Sequence, residues 1–287
     1  MGLEAALQSI IYGLQIGVLY ILVALGLTVI FSMMNIMNFA HGEFYMLGAF
    51  SVLYITSFLG LNYFAALIIS ILIVACLGVI LEWLFFRRAV GDIVGTTIIA
   101  IGLMWILQSS AQLIFGTEPR GMEEVFHGTF TFLNVNISAS RLVAMLICIV
   151  LVVGVYFFLY KTRTGKAIQA VAQDREAAAL QGVDINRINA LGFALGCALA
   201  GAAGGVIALI FSIDATMGTE ALVKSLSVII LGGLGSFPGV IVGGFILGIA
   251  ESCGFTFIGY PAATFPFVII LLVLVIKRTG LMGEPQQ

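Results

Sequence analysis

An all-α polytopic membrane bundle of about eight or nine spans, with broken helices and a helix lying on the cytoplasmic surface, is the fold that this sequence predicts. Composition carries the first step. Of 287 residues, 61% are hydrophobic and only 9% charged, against roughly a quarter charged in ordinary soluble domains, and the mean hydropathy is +1.18. The second observation is that the apolar residues gather in runs close to the ~20 that a helix needs to cross hydrocarbon. The third is that charge collects between the runs. The chain has room for one membrane domain over 1–287, with the lipid bilayer as its solvent, and for no separate soluble one.

The runs cover Ser9 to Phe31, Gly42 to Leu59, Tyr63 to Phe86, Thr96 to Phe115, Arg141 to Tyr160, Ile188 to Phe211, Leu222 to Phe257 and Ala262 to Ile276. The seventh is too long for one span. Inside it GGLGSFPG, with Gly232, Gly233, Gly235 and Pro238, is a helix break, because glycine and proline free backbone groups that then need partners. Division there makes about nine spans. The start, MGLEAALQSI, lacks the positive region of a cleaved signal peptide, and no processing is expected.

Lys and Arg favour the cytoplasmic side of a membrane. They cluster at Arg87 and Arg88, at Lys161, Arg163, Lys166, Arg175 and Arg187, and at Lys277 and Arg278. All three clusters are inside if the N-terminus is external, the seventh run crosses twice and the 116–140 loop is outside. A re-entrant seventh run would instead put the C-terminus outside. In the loop, Glu118, Glu123, Glu124 and His127 suit either a solvated connector or a docking surface, and the Thr-Phe alternation from Thr129 to Phe132 suggests a hairpin.

The 161–187 segment is too polar to span but rich in helix formers. Gly182 stands where a helix C-cap would, and Asp174 and Glu176 suit a helix N-terminus. The apolar face, Ala177, Ala178 and Leu180, is small rather than bulky. That favours seating in a protein groove over the alternative of anchoring in lipid.

Glu176-Ala177-Ala178, three further residues and then Gly182 resemble the start of the EAA motif, with which permeases of bacterial ABC importers engage their ATPases; no Leu-Pro follows downstream. Together with NFAHGEFYMLGAF, TGKAIQAVAQDREAAALQGVD and VIILGGLGSFPGVIVGGFILGIAES, it makes nearly the whole chain similar to the LivH-type permeases of branched-chain amino acid importers. That resemblance implies a multi-pass protein of the bacterial inner membrane, working with a LivM-like second permease subunit as a heterodimer, two cytoplasmic ATPase subunits and a periplasmic solute-binding protein. It assigns Gly165, Lys166, Asp174, Glu176, Ala177, Ala178 and Gly182 to ATPase coupling. Branched-chain amino acids are the implied solutes, with urea, amides or aromatic acids carried by related permeases. The pairs Gly192/Gly196, Gly201/Gly205, Gly239/Gly243 and Gly244/Gly248 have the spacing of close helix packing, within the subunit or against a second one.

Between the first two runs stand Asn35, Asn38, His41, Gly42 and Glu43. Polar groups at such depth tend to face a bundle interior or a wet cavity, and helix ends exposed at a break can meet a solute's polar groups. These residues are candidates for the substrate pathway or its gate. Two other readings compete: Glu43 caps its own helix, or His41 and Glu43 relay protons in a secondary carrier. Glu82 is expected to snorkel or to pair with Arg87, and Glu251 is placed only near a boundary.

Several classes are excluded. A formal charge of -2 offers no basic face for nucleic acid. There is no G-x-x-x-x-G-K-[ST] phosphate loop and no H-E-x-x-H pattern, so the chain reads as a non-catalytic subunit without cofactor or metal. Cys76, Cys148, Cys197 and Cys253 lie in separate apolar segments and read as packing residues.

Overall fold

The computed structural model describes residues 3–132, 135–277 and 279–283. Its helices are α1 (Leu3–Met34), α2 (His41–Leu59), α3 (Tyr63–Leu81), the short α4 (Arg87–Ala89), α5 (Ile93–Phe115), α6 (Ala139–Lys161), α7 (Arg163–Gln173), α8 (Arg175–Leu180), α9 (Ile185–Ile207), α10 (Met217–Gly232), α11 (Phe237–Phe257) and α12 (Phe265–Ile276). Seven are long and apolar enough to cross a membrane, whereas α10 and α12 are shorter. The expected all-α bundle is present, with seven helices of spanning length, the shorter apolar α12 and the 16-residue α10 among the described residues.

A helix that is apolar all round belongs in the interior, and α1 occupies it. Val18 through Leu25 form an almost continuous buried stretch of it, and Leu27, Ile30 and Met33 extend the contact. Around α1 stand α9, α10 and α11, while α2 and α3 pack on α9. The outward faces belong to α3, α5, α6 and α12, which expose Leu72, Trp105, Phe157 and Leu271 among other large apolar side chains, as a lipid-facing surface should.

Glycine lets these helices approach backbone to backbone. A Cβ on Gly26 would stand 2.6 Å from the Gly196 carbonyl oxygen, and one on Gly13 2.6 Å from Ile249 Cα. Gly48 rests on Gly201, Gly204 on the Tyr45 carbonyl, and Gly244 and Gly248 on Gly17. All eight glycines of the spaced pairs are occupied by the chain's own helices: Gly192 meets Met33, Gly205 meets Leu67, Gly239 meets Gly232 and Gly243 meets Val228. None of them is left to meet a second subunit.

Contacts also settle the topology. Gly17 meets Gly244 and Gly248, and Gly13 meets Ile249, so α1 and α11 run antiparallel. Gly243 meets the Val228 carbonyl, so α10 and α11 do too, and the long seventh run folds back rather than ending inside. At the break Gly233 and Gly235 adopt φ of 106° and 79°, where a side chain would be strained. Ser236 Oγ accepts from Gly239 N at 3.1 Å, and Pro238 sits in the first turn of α11. The C-terminal residues return here, with Leu281 N donating to Leu231 O and Met282 N to Gly232 O, both at 2.9 Å. The C-terminus therefore shares an end of the bundle with α7, beside which Met282 lines a common cavity. Arg278, half of the last basic pair, lies outside the described residues.

At the opposite end β1 (Thr129–Phe132) and β2 (Val135–Ser138) form the expected antiparallel hairpin, tied to α1 by Tyr12 Oη donating to Asn136 O at 3.1 Å. Glu82 does pair with Arg87, Nη2 to Oε2 at 3.1 Å. The turn Glu82–Phe86 is a π-helix, whose i to i+5 geometry brings the two side chains together.

Gly48→Val is expected to lower the stability of the detergent-purified protein by about 1–3 kcal/mol or more, since overpacking against a rigid backbone has no room to relax. Gly154→Ala, whose added methyl meets nothing within 4 Å, should be neutral or stabilise by up to about 1 kcal/mol through helix propensity. Thermal unfolding of the two variants measures the contrast.

Candidate functional site

The segment after α1 does not simply bridge two spans. Asn35 ends the helix in a left-handed conformation, φ 52°, alone among non-glycine described residues, and asparagine tolerates that geometry better than most. Residues 36–40 then turn back along α1, because His41 Nε2 lies 3.1 Å from the carbonyl oxygen of Val23. Eleven residues of α1 separate Val23 from Met34, so α2 begins about 16 Å in from the end of α1 at 1.5 Å per residue. The chain re-enters the membrane interior before α2 starts.

A second helix starts at the same depth from the other side. Beyond α9 the chain bridges Arg120 to Ile213, and α10 opens at Met217 with Gly218 against the Gly42 carbonyl. Two N-terminal ends, α2 and α10, thus abut inside the bundle. Each carries a carboxylate in its first turn, Glu43 and Glu220, the sign that a helix N-terminus favours.

His41, Gly42 and Glu43 form the first turn of α2, and Asn38 lies just before it. Asn38, His41 and Glu43 are no more than 1% exposed, whereas Asn35 is exposed at the basic end and outside the cluster. Asn38 Oδ1 accepts from Ala40 N at 3.2 Å. Asn38 Nδ2, His41 Nδ1 and Glu43 Oε2 have no hydrogen-bond partner among the described residues. His41 faces α1 at Val23 and Gly26, while Glu43 Oε1 faces Gly218 on α10. Residues two apart do not share a helix face, which separates the groups that a proton relay would join. No side chain caps α2 at Ala40, and Glu43 makes no hydrogen bond to its amides among the described residues. The cluster is tightly packed, with Gly42 against Gly218 beside these buried polar atoms.

Beside this contact, toward the hairpin end, lies a cavity of about 480 Å³. Its polar lining includes Tyr20, Asp214, Glu220, Lys224, Ser225 and Glu251, set among apolar walls such as Leu19, Ile207, Phe211 and Phe255. Lys224 Nζ is ion-paired with Glu251 Oε1, both side chains being less than a tenth exposed. Tyr20 Oη donates to Glu251 Oε2 at 2.9 Å. Of this group Lys224 went unread in the sequence and Glu251 was placed only near a boundary. Lys224 passes as one polar residue near the start of a long apolar run, and Glu251 had no visible partner; a charge within such a run was itself the available signal.

A second cavity, about 690 Å³, opens at the basic end between α1, α7 and the Gly-Pro break, where Ser32, Gln169, Ser236, Pro238 and Met282 line it. On α1 the hairpin-end cavity touches Ile16, Leu19, Tyr20 and Val23, and the basic-end cavity Thr28, Val29 and Ser32. At 3.6 residues per turn these sets lie on opposite faces. The central helix stands between the two spaces.

The 161–187 segment forms two helices rather than one. Gly165 of α7 sits on the Phe158 and Leu159 carbonyls of α6, Gln169 Nε2 donates to Leu159 O at 2.9 Å, and Lys166 is exposed. Asp174 Oδ1 accepts from Glu176 N and Ala177 N, both at 2.9 Å, to start α8. Val183 N donates to Ala178 O and Gly182 N to Ala179 O, with Gly182 at φ 83°, a Schellman termination. Ala178 is 5% exposed and packs into the chain itself, whereas Leu180 is 88% exposed. The free face is made by Glu176, Ala177 and Leu180, and Ala178 is not on it. Nothing in either region assembles a nucleophile with a base, and no metal-holding group of His, Cys, Asp and Glu occurs among the described residues.

Cysteine at position 38 or 43 should resist a water-soluble maleimide in the resting protein, and Gly42→Val should raise labelling by prying α2 from α10. Rapid labelling with Gly42 intact would refute the sealed geometry.

Residues 9–277 match the family described as branched-chain amino acid transport system / permease component. The chain is 31% identical over 300 residues to the high-affinity branched-chain amino acid transport system permease protein BraD of Pseudomonas aeruginosa, covering 98% of this chain and 96% of that one. It is 28% identical over 296 residues to LivH of Escherichia coli K12, with the same coverage. A LivM permease of that organism matches at 26% over 282 residues, covering 89% of this chain and 66% of its own. No solved structure matches.

Proposed function

Because the chain belongs to the family of branched-chain amino acid transport permease components, we propose that it is a pathway-forming subunit of an ATP-driven importer for branched-chain or similar amino acids. The observation that carries this reading is the polar cavity above two helix starts sealed inside the membrane, in a chain matched from end to end by permeases of that kind. Two separate ATPases, a solute-binding protein at the hairpin end and a LivM-like second permease subunit complete the assembly, in the bacterial inner membrane with α7 and α8 in the cytoplasm. The hairpin and its loop form the surface that meets the binding protein.

The chain's packing supports a route from ATPase to gate. ATPases dock on the free face of α8. Its Schellman turn leads through Asp184, whose Oδ1 accepts from Arg187 N at 3.2 Å, directly into α9. That helix touches α1 at Gly26 and α2 at Gly48 and Tyr45 through backbone contacts, which transmit displacement because close-packed interiors yield little. A push on α8 therefore shifts α2 relative to α10 at the Gly42 to Gly218 contact.

In proteoliposomes holding this chain, its permease partner, the ATPases and the binding protein, leucine uptake should require ATP. Uptake by this chain alone under a proton gradient would overturn the proposal. Leu180→Asp should weaken ATPase binding about tenfold or more, as loss of the roughly 1.5–3 kcal/mol of a buried leucine implies, while Gly182→Val should assemble and hydrolyse ATP without proportionate uptake. Glu43→Gln should impair uptake with assembly intact. Wild-type complex yield, hydrolysis and uptake in both α8 variants would leave that helix a mere connector.

A further inference from the structure

We infer that the hairpin-end cavity is a binding site for the zwitterionic head group of an α-amino acid, with Lys224 as the carboxylate ligand and Glu220 as the ammonium ligand. The inference rests on the permease reading and adds to it a residue-level selectivity inside the membrane domain itself.

Charge placement comes first. A lysine ammonium has three N–H donors. Among the described residues Lys224 gives one to Glu251 and stands 5.8 Å from the Tyr20 ring centre. Glu251 is held on its other oxygen by Tyr20. The pair therefore leaves donor capacity on the lysine and occupies both oxygens of its partner. A carboxylate entering the cavity meets a fixed cation whose own counter-charge is already engaged, so it adds hydrogen bonds without having to displace Glu251.

Glu220 lies four residues before Lys224 on α10, hence on the same helix face. Both line the cavity, and Glu220 has no hydrogen bond or ion pair among the described residues. A carboxylate and an ammonium donor one helical turn apart match the opposed charges of an amino acid. Asp214, by contrast, accepts from Thr216 N at 2.7 Å and from Thr216 Oγ1 and is spent on its own turn.

The walls supply the remaining selectivity. Leu19, Ile207, Phe211 and Phe255 surround the charged group, which suits a branched aliphatic side chain better than a second charge. A cavity of about 480 Å³ lies within the usual 300–1,000 Å³ of small-molecule sites. Met217, which lines the cavity, adjoins Gly218 of the Gly42 to Gly218 contact, and Gly218 lies two residues before Glu220 on the same helix. A ligand held by Glu220 and Lys224 thus rests on the helix whose N-terminus closes the path.

The test reads occupancy without ATP. With Cys76 and Cys253 replaced by Ala, a cysteine at Ala221, which lines the cavity, is labelled by a cationic methanethiosulfonate on the full chain in nanodiscs. L-leucine should slow labelling, and isocaproate, which lacks the ammonium, and isoamylamine, which lacks the carboxylate, should do so about tenfold less well, the ratio set by one lost charge-assisted hydrogen bond. Lys224→Met combined with Glu251→Met removes the ion pair without leaving a lone buried charge. Protection and leucine uptake should both be lost in that variant while the yield of assembled complex stays at the wild-type value. Leucine uptake by the double variant at the wild-type rate would make the pair structural and overturn the inference. So would equal protection by all three compounds. Protection by leucine in a complex that imports no leucine with ATP would instead count against the importer reading and leave the site standing.

Discussion

Backbone contact at glycine is the constraint on which this bundle rests. Lipid tails are as apolar as leucine, so the hydrophobic effect does little to draw one membrane helix to another, and dispersion contact at short range has to do it. The chain meets that demand with α1 at its centre, touching α11 through Gly13 and Gly17 and α9 through Gly26. On the far side of α9, Gly201 and Gly204 bring in α2. Four helices are thereby locked together at distances that no side chain larger than hydrogen allows.

A lattice of this kind is stiff where glycine meets backbone and open where it does not. Both cavities flank α1, on opposite faces, and both are bounded by segments that are not continuous spans: the starts of α2 and α10 in one case, the Gly-Pro break and α7 in the other. Irregular backbone at membrane depth is tolerated where protein or water satisfies it, and here the abutting ends of α2 and α10 are covered by one another. The same arrangement concentrates the few charges of the interior. Lys224 and Glu251 escape the cost of isolated burial by pairing, yet a buried pair contributes little net stability compared with apolar packing, which is a physical reason to look for its use in recognition.

The surface helices α7 and α8 are joined directly to that lattice. Helix α7 is bound to the end of α6 by Gly165 and Gln169, and α8 is separated from α9 by only the turn at Gly182 and the cap at Asp184. Of the small apolar residues that the sequence placed on one face, Ala178 turns inward and Leu180 outward. A six-residue helix has too few turns for spacing alone to say which way it is rotated, and burial of Ala178 against the rest of the chain decided it.

By itself the sequence determined the solvent, the class and most of the spans, because hydrocarbon admits only helices of a certain length and composition and because glycine and proline mark where they break. It located the Gly232 to Pro238 break, the hairpin after Thr129, the Gly182 cap and the polar stretch from Asn35 to Glu43. Which helices the glycine pairs join was legible only in three dimensions, since spacing records a face and not its partner. That α2 begins beside Val23, and that α10 begins beside Gly42, depends on chain segments folding back along α1, a choice that local pattern does not express. Lys224, Glu251 and Tyr20 meet across 27 and 231 residues of sequence. Each alone is a single polar residue in an apolar run, and the tertiary fold made them one site because a charge in hydrocarbon must find its opposite.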